Sequence, residues 1–318
     1  MHNKYTTEIE VLGGLGNQLF GYFFGASVAS KLKSKLIVDT SIIGLGSNSR
    51  RQNELVNLHL PYTDVIYEHK ELRKRKKYRA KLLLRYNLWL RRKIRISEEK
   101  VNSLDFKFNG NQKFSGYYQN WFYGDYYSKK IGKFDIQPKY PSSAYLKLRQ
   151  MMDEKLPICL HLRVGDYLNH PKVYTILPFK YFVKILNLEL TSRPDREVWI
   201  FTESMSDYEI YRNELSLFNP RIFDRSTGLS DVESFLLLAN SSTLIAANST
   251  YSLWAAWFVW KNNNIAYIPS RNFVFGINDD LMDERWNRYD FEKDILYPGK
   301  FNQEKYDKLE REFLSKFT

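Results

Sequence analysis

Short apolar runs alternate with amphipathic stretches along most of this chain. In the second half, residues 158–163, 197–202, 221–224, 243–247 and 265–268 each read as a buried strand, the last run being the final strand expected. Between them, helical spacing covers 178–190, 207–217, 230–239 and 249–260. The first half opens the same way, with a strand over 7–12, a helix over 18–33 and a strand over 35–39. Strands alternating with helices predict parallel, doubly wound α/β sheets. A Pro-, Ser- and Tyr-rich stretch at 138–143 marks a linker, and 305–317 reads as a terminal amphipathic helix. The expected organisation is an N-terminal domain over 1–142, a second domain over 143–300 and the terminal helix over 301–318.

One stretch breaks this pattern. Residues 71–97 interleave Lys and Arg with Leu82, Leu83, Leu84, Leu88, Trp89 and Leu90, as a basic amphipathic helix or helix pair would. The whole chain carries 48 Lys and Arg against 36 Asp and Glu, a formal charge of +12 that favours anionic partners. The segment from Arg73 to Arg95 suits either plain solvent exposure or peripheral contact with anionic lipid head groups. The single cysteine, Cys159, lies within an apolar strand, so no internal disulfide forms and a reducing, cytoplasmic setting is expected. The first residues lack an apolar signal-peptide core, and no run is long enough to span a membrane.

In open α/β sheets, ligands bind beyond the carboxyl ends of the strands. Those ends carry His161, Arg163 and Asp166, then Thr202 and Glu203, then Asp224, then Asn248, Ser249 and Thr250. Alternation puts His161 and Arg163 on one side of their strand. A guanidinium there meets phosphate oxygens through its planar fork. Asn248, Ser249 and Thr250 follow a strand and open a helix, where backbone N–H groups and the helix dipole favour an anion. The turn Gly13-Gly14-Leu15-Gly16-Asn17 has two of the three glycines of a dinucleotide fingerprint, and Asp39 ends the next strand as a ribose-binding acid would. On residues alone, an NAD-dependent oxidoreductase and a non-enzymatic lipid- or nucleic-acid-binding module stay open beside a nucleotide-linked transferase. No Asp-x-Asp occurs, and His and Cys are too scattered for a zinc cluster, so no metal is expected.

Five blocks, in order, resemble the bacterial α-1,2-fucosyltransferase family: Gly14-Leu15-Gly16-Asn17-Gln18-Leu19-Phe20; Gly116-Tyr117-Tyr118-Gln119; His161-Leu162-Arg163-Val164-Gly165-Asp166-Tyr167; Ile200-Phe201-Thr202-Glu203; and Ala247 through Trp257 with Asn248-Ser249-Thr250 at its head. The resemblance implies a GT-B-like pair of Rossmann-type domains facing a cleft. It also implies GDP-fucose as donor, a galactose-containing glycan as acceptor, and metal-free transfer with inversion to the 2-hydroxyl, in surface polysaccharide or O-antigen synthesis. By the same likeness Arg163 contacts the donor phosphates, with Glu203, Asn248, Ser249 and Thr250 beside them. Gly14, Gly16, Asn17 and Gln18 lie at the cleft from the N-terminal side. Asp166, His161 and Glu203 are the expected bases, Asp166 first. Nucleic acid is not an expected partner. Two positions depart from the family: Val164 stands where its motif has a second Arg, and Glu203 where it prefers Asp.

Overall fold

The structure is a computed structural model describing residues 5–44, 51–61, 65–67, 95–103, 105–132, 136–271, 274 and 281–317, with the backbone alone at 65–67 and at Asp166. The chain divides into two compact units, Met1–Ile136 with Gln303–Thr318 and Gln137–Asn302. The expected boundary at 142/143 thus lies inside the second unit, because Ser142 is already the N-cap of that unit's first helix.

The first unit begins with β1 (Thr6–Glu10), α1 (Leu15–Leu32) and β2 (Lys35–Asp39). It continues through β3 (Val65–Tyr67), β4 (Ile96–Ser97), α2 (Glu98–Asn102), β5 (Gln112–Ser115) and α3 (Trp121–Ile131). The five strands form one parallel sheet in the order β3-β2-β1-β5-β4. Two glycines one turn apart let α1 lie close on that sheet. A Cβ at Gly21 would sit 2.7 Å from the Val11 side chain, and one at Gly25 2.7 Å from Ile9 and 2.9 Å from Leu36. The helix starts three residues before the expected 18, because Gly14 already serves as its N-cap.

The second unit holds α4 (Ser143–Lys155), β6 (Ile158–Leu162), α5 (Phe179–Ser192), β7 (Val198–Thr202), α6 (Met205–Glu209), α7 (Arg212–Leu215) and β8 (Arg221–Phe223). Then come α8 (Asp231–Ala239), β9 (Thr243–Ile245), α9 (Thr250–Lys261), β10 (Ile265–Pro269), β11 (Asn287–Asp290) and β12 (Ile295–Tyr297). The sheet order is β8-β7-β6-β9-β10-β11-β12, parallel except for the final pair. β6 and β7 are buried along their whole length, as central strands covered on both faces must be. Ile158, Leu160 and Leu162 pack with Tyr181, Ile185, Ile200 and Ile245 in the core.

Two expectations are corrected here. The single helix expected over 207–217 is two short helices, because the backbone leaves helical values at Tyr211, whose hydroxyl is drawn to the Leu177 carbonyl at 2.7 Å. The strand at 265–268 is not the last. β11 and β12 extend the sheet edge: Asn-Arg-Tyr-Asp is too polar, and Ile-Leu-Tyr too short, to show a buried-strand run. The terminal helix, α10 (Gln303–Ser315), belongs to the first unit, where Phe313 packs against Phe108, Phe122 and Tyr126.

Candidate active site

The site is built at the carboxyl ends of neighbouring strands in the second unit. After Leu162 the chain leaves β6, and Gly165 adopts a positive φ of 29° before a 3₁₀ turn over Gly165–Asn169. Asp207, buried at the start of α6, holds this bend from below: its carboxylate accepts from the backbone N–H of Gly165 at 3.1 Å and of Val164 at 3.3 Å. Val164 itself is core, 1% exposed. The bend presents Arg163, whose guanidinium pairs with Glu203 just beyond the end of β7. The other oxygen of Glu203 receives Arg225, 3.0 Å away, from the turn that follows β8.

A second chain of contacts joins this loop to the tip of α9. The Arg163 guanidinium lies 5.7 Å from the centre of the Tyr167 ring. The Tyr167 hydroxyl donates to the Asn248 carbonyl at 3.1 Å, and its ring stacks on Tyr174 at 4.2 Å. Asn248 is fully buried and donates its amide to the Thr175 carbonyl at 2.7 Å. It therefore pins the 165–175 loop rather than presenting its amide to solvent. Ser249 caps α9, accepting from the Ser252 N–H at 3.2 Å, and Thr250 is the first helical residue. The first-turn N–H groups of α9 and its positive dipole end thus stand beside the Arg163 loop.

His161 lies beneath them, buried, with its ring 5.2 Å from that of Tyr251. Burial, aided by the charge of Arg163, pushes its pKa down to about 3. The imidazole is therefore neutral and only weakly basic, better suited to hydrogen bonding than to accepting a proton. The side chain of Asp166 lies outside the described residues. Asp224, another expected strand-end group, caps the next turn by accepting from the N–H of Ser226 at 3.0 Å.

In the first unit, Gly13 takes φ 71°, and a Cβ there would meet Asn17 at 2.8 Å. Gly14 and Gly16 form the entry to α1. Asn17 accepts from the Gln119 amide at 2.9 Å, which joins the first two motif blocks. Gln18 is fully buried. It donates to the carbonyls of Gly13 at 2.9 Å and Gln52 at 2.8 Å and accepts from the Glu54 N–H at 3.1 Å. Its part is to fix the glycine turn against residues 52–54.

Two further expectations change. Asp39 is not open to a ribose: its carboxylate is 1% exposed and pairs with Arg95. Arg95 is not part of a solvated basic face. It is buried and also pairs with Glu10 at 2.9 Å and Glu8 at 2.6 Å. The remainder of the basic stretch, 71–94, lies outside the described residues. Among the described residues, no group of His, Cys, Asp and Glu is arranged to hold a metal, and no helix is long and apolar enough to cross a membrane. Sequence reading missed Asp207 and Arg225. Asp207 carried no signal, being one acid among several in a polar stretch. Arg225 did: like Arg163, it follows a strand end within two residues.

A family model described as Glycosyl transferase family 11 matches residues 6–274. The chain belongs to glycosyl transferase family 11. This family-11 glycosyltransferase is similar to two curated proteins of Escherichia coli. The O-antigen biosynthesis glycosyltransferase WbnK is 24% identical over 86% of this chain and 97% of its own. An alpha-1,2-colitosyltransferase is 23% identical over 81% of this chain and 89% of its own. Among solved structures, it is similar to the fucosyltransferase NodZ from Bradyrhizobium, 12% identical over 79% of this chain and 91% of that one, with a TM-score of 0.46.

Proposed function

We propose that this glycosyltransferase moves L-fucose from GDP-fucose to the 2-hydroxyl of a galactoside, with inversion and without a metal, in the assembly of O-antigen or a related surface glycan. The observation that carries the reading is the meeting of Arg163 with the amino-terminal tip of α9 through Tyr167 and Asn248. A cation and the first turn of a helix are thereby linked through one side chain, an arrangement that suits the holding of a diphosphate. The five motif blocks support GDP-fucose. The names of the two curated relatives support an α-1,2 linkage and an O-antigen setting.

In this reading the bond between the sugar's anomeric carbon and the donor's β-phosphate oxygen breaks, and the electron pair leaves with GDP. Arg163 and the α9 N–H groups stabilise that charge as it develops. The acceptor oxygen attacks the opposite face of the cationic sugar, and its proton passes to a carboxylate. Asp166 is the base we assign. His161 is too weakly basic for the task, and Glu203 is already engaged by two arginines. Ser249, Thr250 and Asn248 shape the donor side, and Gly14 and Asn17 shape a surface of the first unit that the buried Gly16 and Gln18 support from within. An acceptor carried on a lipid would bring the reaction to the cytoplasmic face of a membrane, where the basic residues of 73–94 would meet anionic head groups. Co-sedimentation with phosphatidylglycerol vesicles, compared with phosphatidylcholine ones, tests that contact.

The deciding experiment incubates the protein with labelled GDP-fucose and a panel of β-galactosides, with and without EDTA, and locates the new linkage by NMR. An α-1,2-fucosyl product formed equally in EDTA is expected. Transfer only from another nucleotide sugar would overturn the donor, and loss of product in EDTA would overturn the metal-free mechanism.

A further inference from the structure

Arg163 alone is a poor phosphate clamp in this chain, because its charge is already met. Its guanidinium pairs with Glu203, so the two together are neutral. Val164 supplies no second cation: it is buried in the core among Leu162, Tyr181 and Ile200. The charge is restored from elsewhere. Arg225 grips the second oxygen of Glu203 at 3.0 Å, so one carboxylate is flanked by two guanidiniums, and the trio carries a net +1. The three residues come from the ends of three adjacent strands, β6, β7 and β8.

The two arginines are placed differently. The Arg163 side chain is 17% exposed, that of Arg225 62%. Arg225 is nonetheless not on a loose loop. Asp224 accepts from both the N–H and the hydroxyl of Ser226, and the Thr227 hydroxyl donates back to the Asp224 carbonyl at 2.6 Å. Asp231 approaches Arg225 to 3.6 Å, but it is half exposed and sits in the first turn of α8, whose positive end offsets it. The spare N–H groups of Arg225 are thus held, open to solvent, beside Arg163.

We propose that Arg225 is the second cation of the donor-phosphate site, and that it takes the place of the arginine that the family's motif carries where this chain has Val164. The proposal rests on the nucleotide-donor reading above. Glu203 then acts as a spacer: it holds the two guanidiniums on either side of itself, at a separation set by a group about as wide as a phosphate. When a diphosphate arrives, each arginine takes one of its phosphates, and the leaving group departs into two cations rather than one.

Isothermal titration with GDP, GMP and guanosine tests this on the wild type, Arg225→Ala, Arg225→Lys, Glu203→Gln and the double variant Glu203→Gln/Arg225→Ala. Removing a charge-assisted contact should weaken GDP by about tenfold to a hundredfold and leave guanosine unchanged. The preference for GDP over GMP should collapse in Arg225→Ala and be partly kept in Arg225→Lys. The loss should persist in the Glu203→Gln background, since Arg225 is proposed to act directly. GDP binding unchanged in Arg225→Ala, or a loss that vanishes once Glu203 is neutral, would overturn the proposal while leaving the donor reading intact. A wild type that binds no nucleoside diphosphate overturns both. If it takes UDP in preference to GDP, the guanosine reading falls, and the UDP-to-UMP preference of the same variants decides the role of Arg225.

Discussion

His161 shows how little a residue's type says about its state. In water an imidazole takes a proton near neutrality, yet here burial holds it neutral down to about pH 3. Between about pH 6.5 and 3 the unfolded chain binds this proton and the folded chain does not, so folding weakens as pH falls through that window, by about 1.4 kcal/mol per unit at most. His161→Gln should flatten that part of the stability curve measured by urea titration; an unchanged acid limb would mean the ring protonates in place. Arg163→Ala should lower turnover by roughly 10²–10³-fold, the cost of a lost charge-stabilising donor, with little change in Tm. A variant that keeps wild-type turnover would remove Arg163 from the chemistry. Gly165→Ala forces a side chain into φ 29°, with the new carbon 3.5 Å from Glu203, and should weaken donor binding more than stability.

At the scale of elements, the strands and helices around the site were legible because parallel strands buried on both faces read as plain apolar runs. β6, β7, β9 and α9 lie within two residues of their expected limits. β11 and β12 were not legible, since at the sheet edge β11 buries only Tyr289 fully and β12 is three exposed residues, so neither makes a long apolar run. The tight seat of α1 on β1 was hidden as well: Gly21 and Gly25 read as weak points of a helix until the neighbours of their missing Cβ atoms are known. Gly25→Ala should destabilise the protein by about 1–3 kcal/mol through overpacking against Ile9 and Leu36, measured by thermal or urea unfolding. Stabilisation instead, as helix propensity alone would give, would show that the sheet yields.

For the molecule as a whole, charge is where sequence reading went furthest astray. Arg95 closes a strongly basic stretch and was grouped with it, but it is the buried counter-ion of Glu8, Glu10 and Asp39. Which carboxylates a given arginine meets depends on pairings more than fifty residues apart, and no local pattern records them. Burial alone would raise the pKa of Glu8, but the hydrogen bonds and charges of Arg95 and Lys113 outweigh it and bring the pKa below 4.5. That stabilisation is present above about pH 4.5 and lost as the pH falls through the lowered folded value. Arg95→Ala should therefore cost about 3–5 kcal/mol at pH 7, and the gap from wild type should narrow in acid. A constant gap across pH would mean that packing, not charge, is what Arg95 supplies.

The seat of α10 has a consequence for how the protein comes into being. The aromatic surface formed by Phe108, Phe122 and Tyr126 is covered by Phe313, and Phe317 stacks on Phe108 at 4.6 Å. These partners lie about two hundred residues downstream, so on the ribosome the earlier-made unit waits, with its rings bare, until they too have been made. Completion of the first unit is thereby tied to synthesis of the second, and nascent protein must be shielded from aggregation until then.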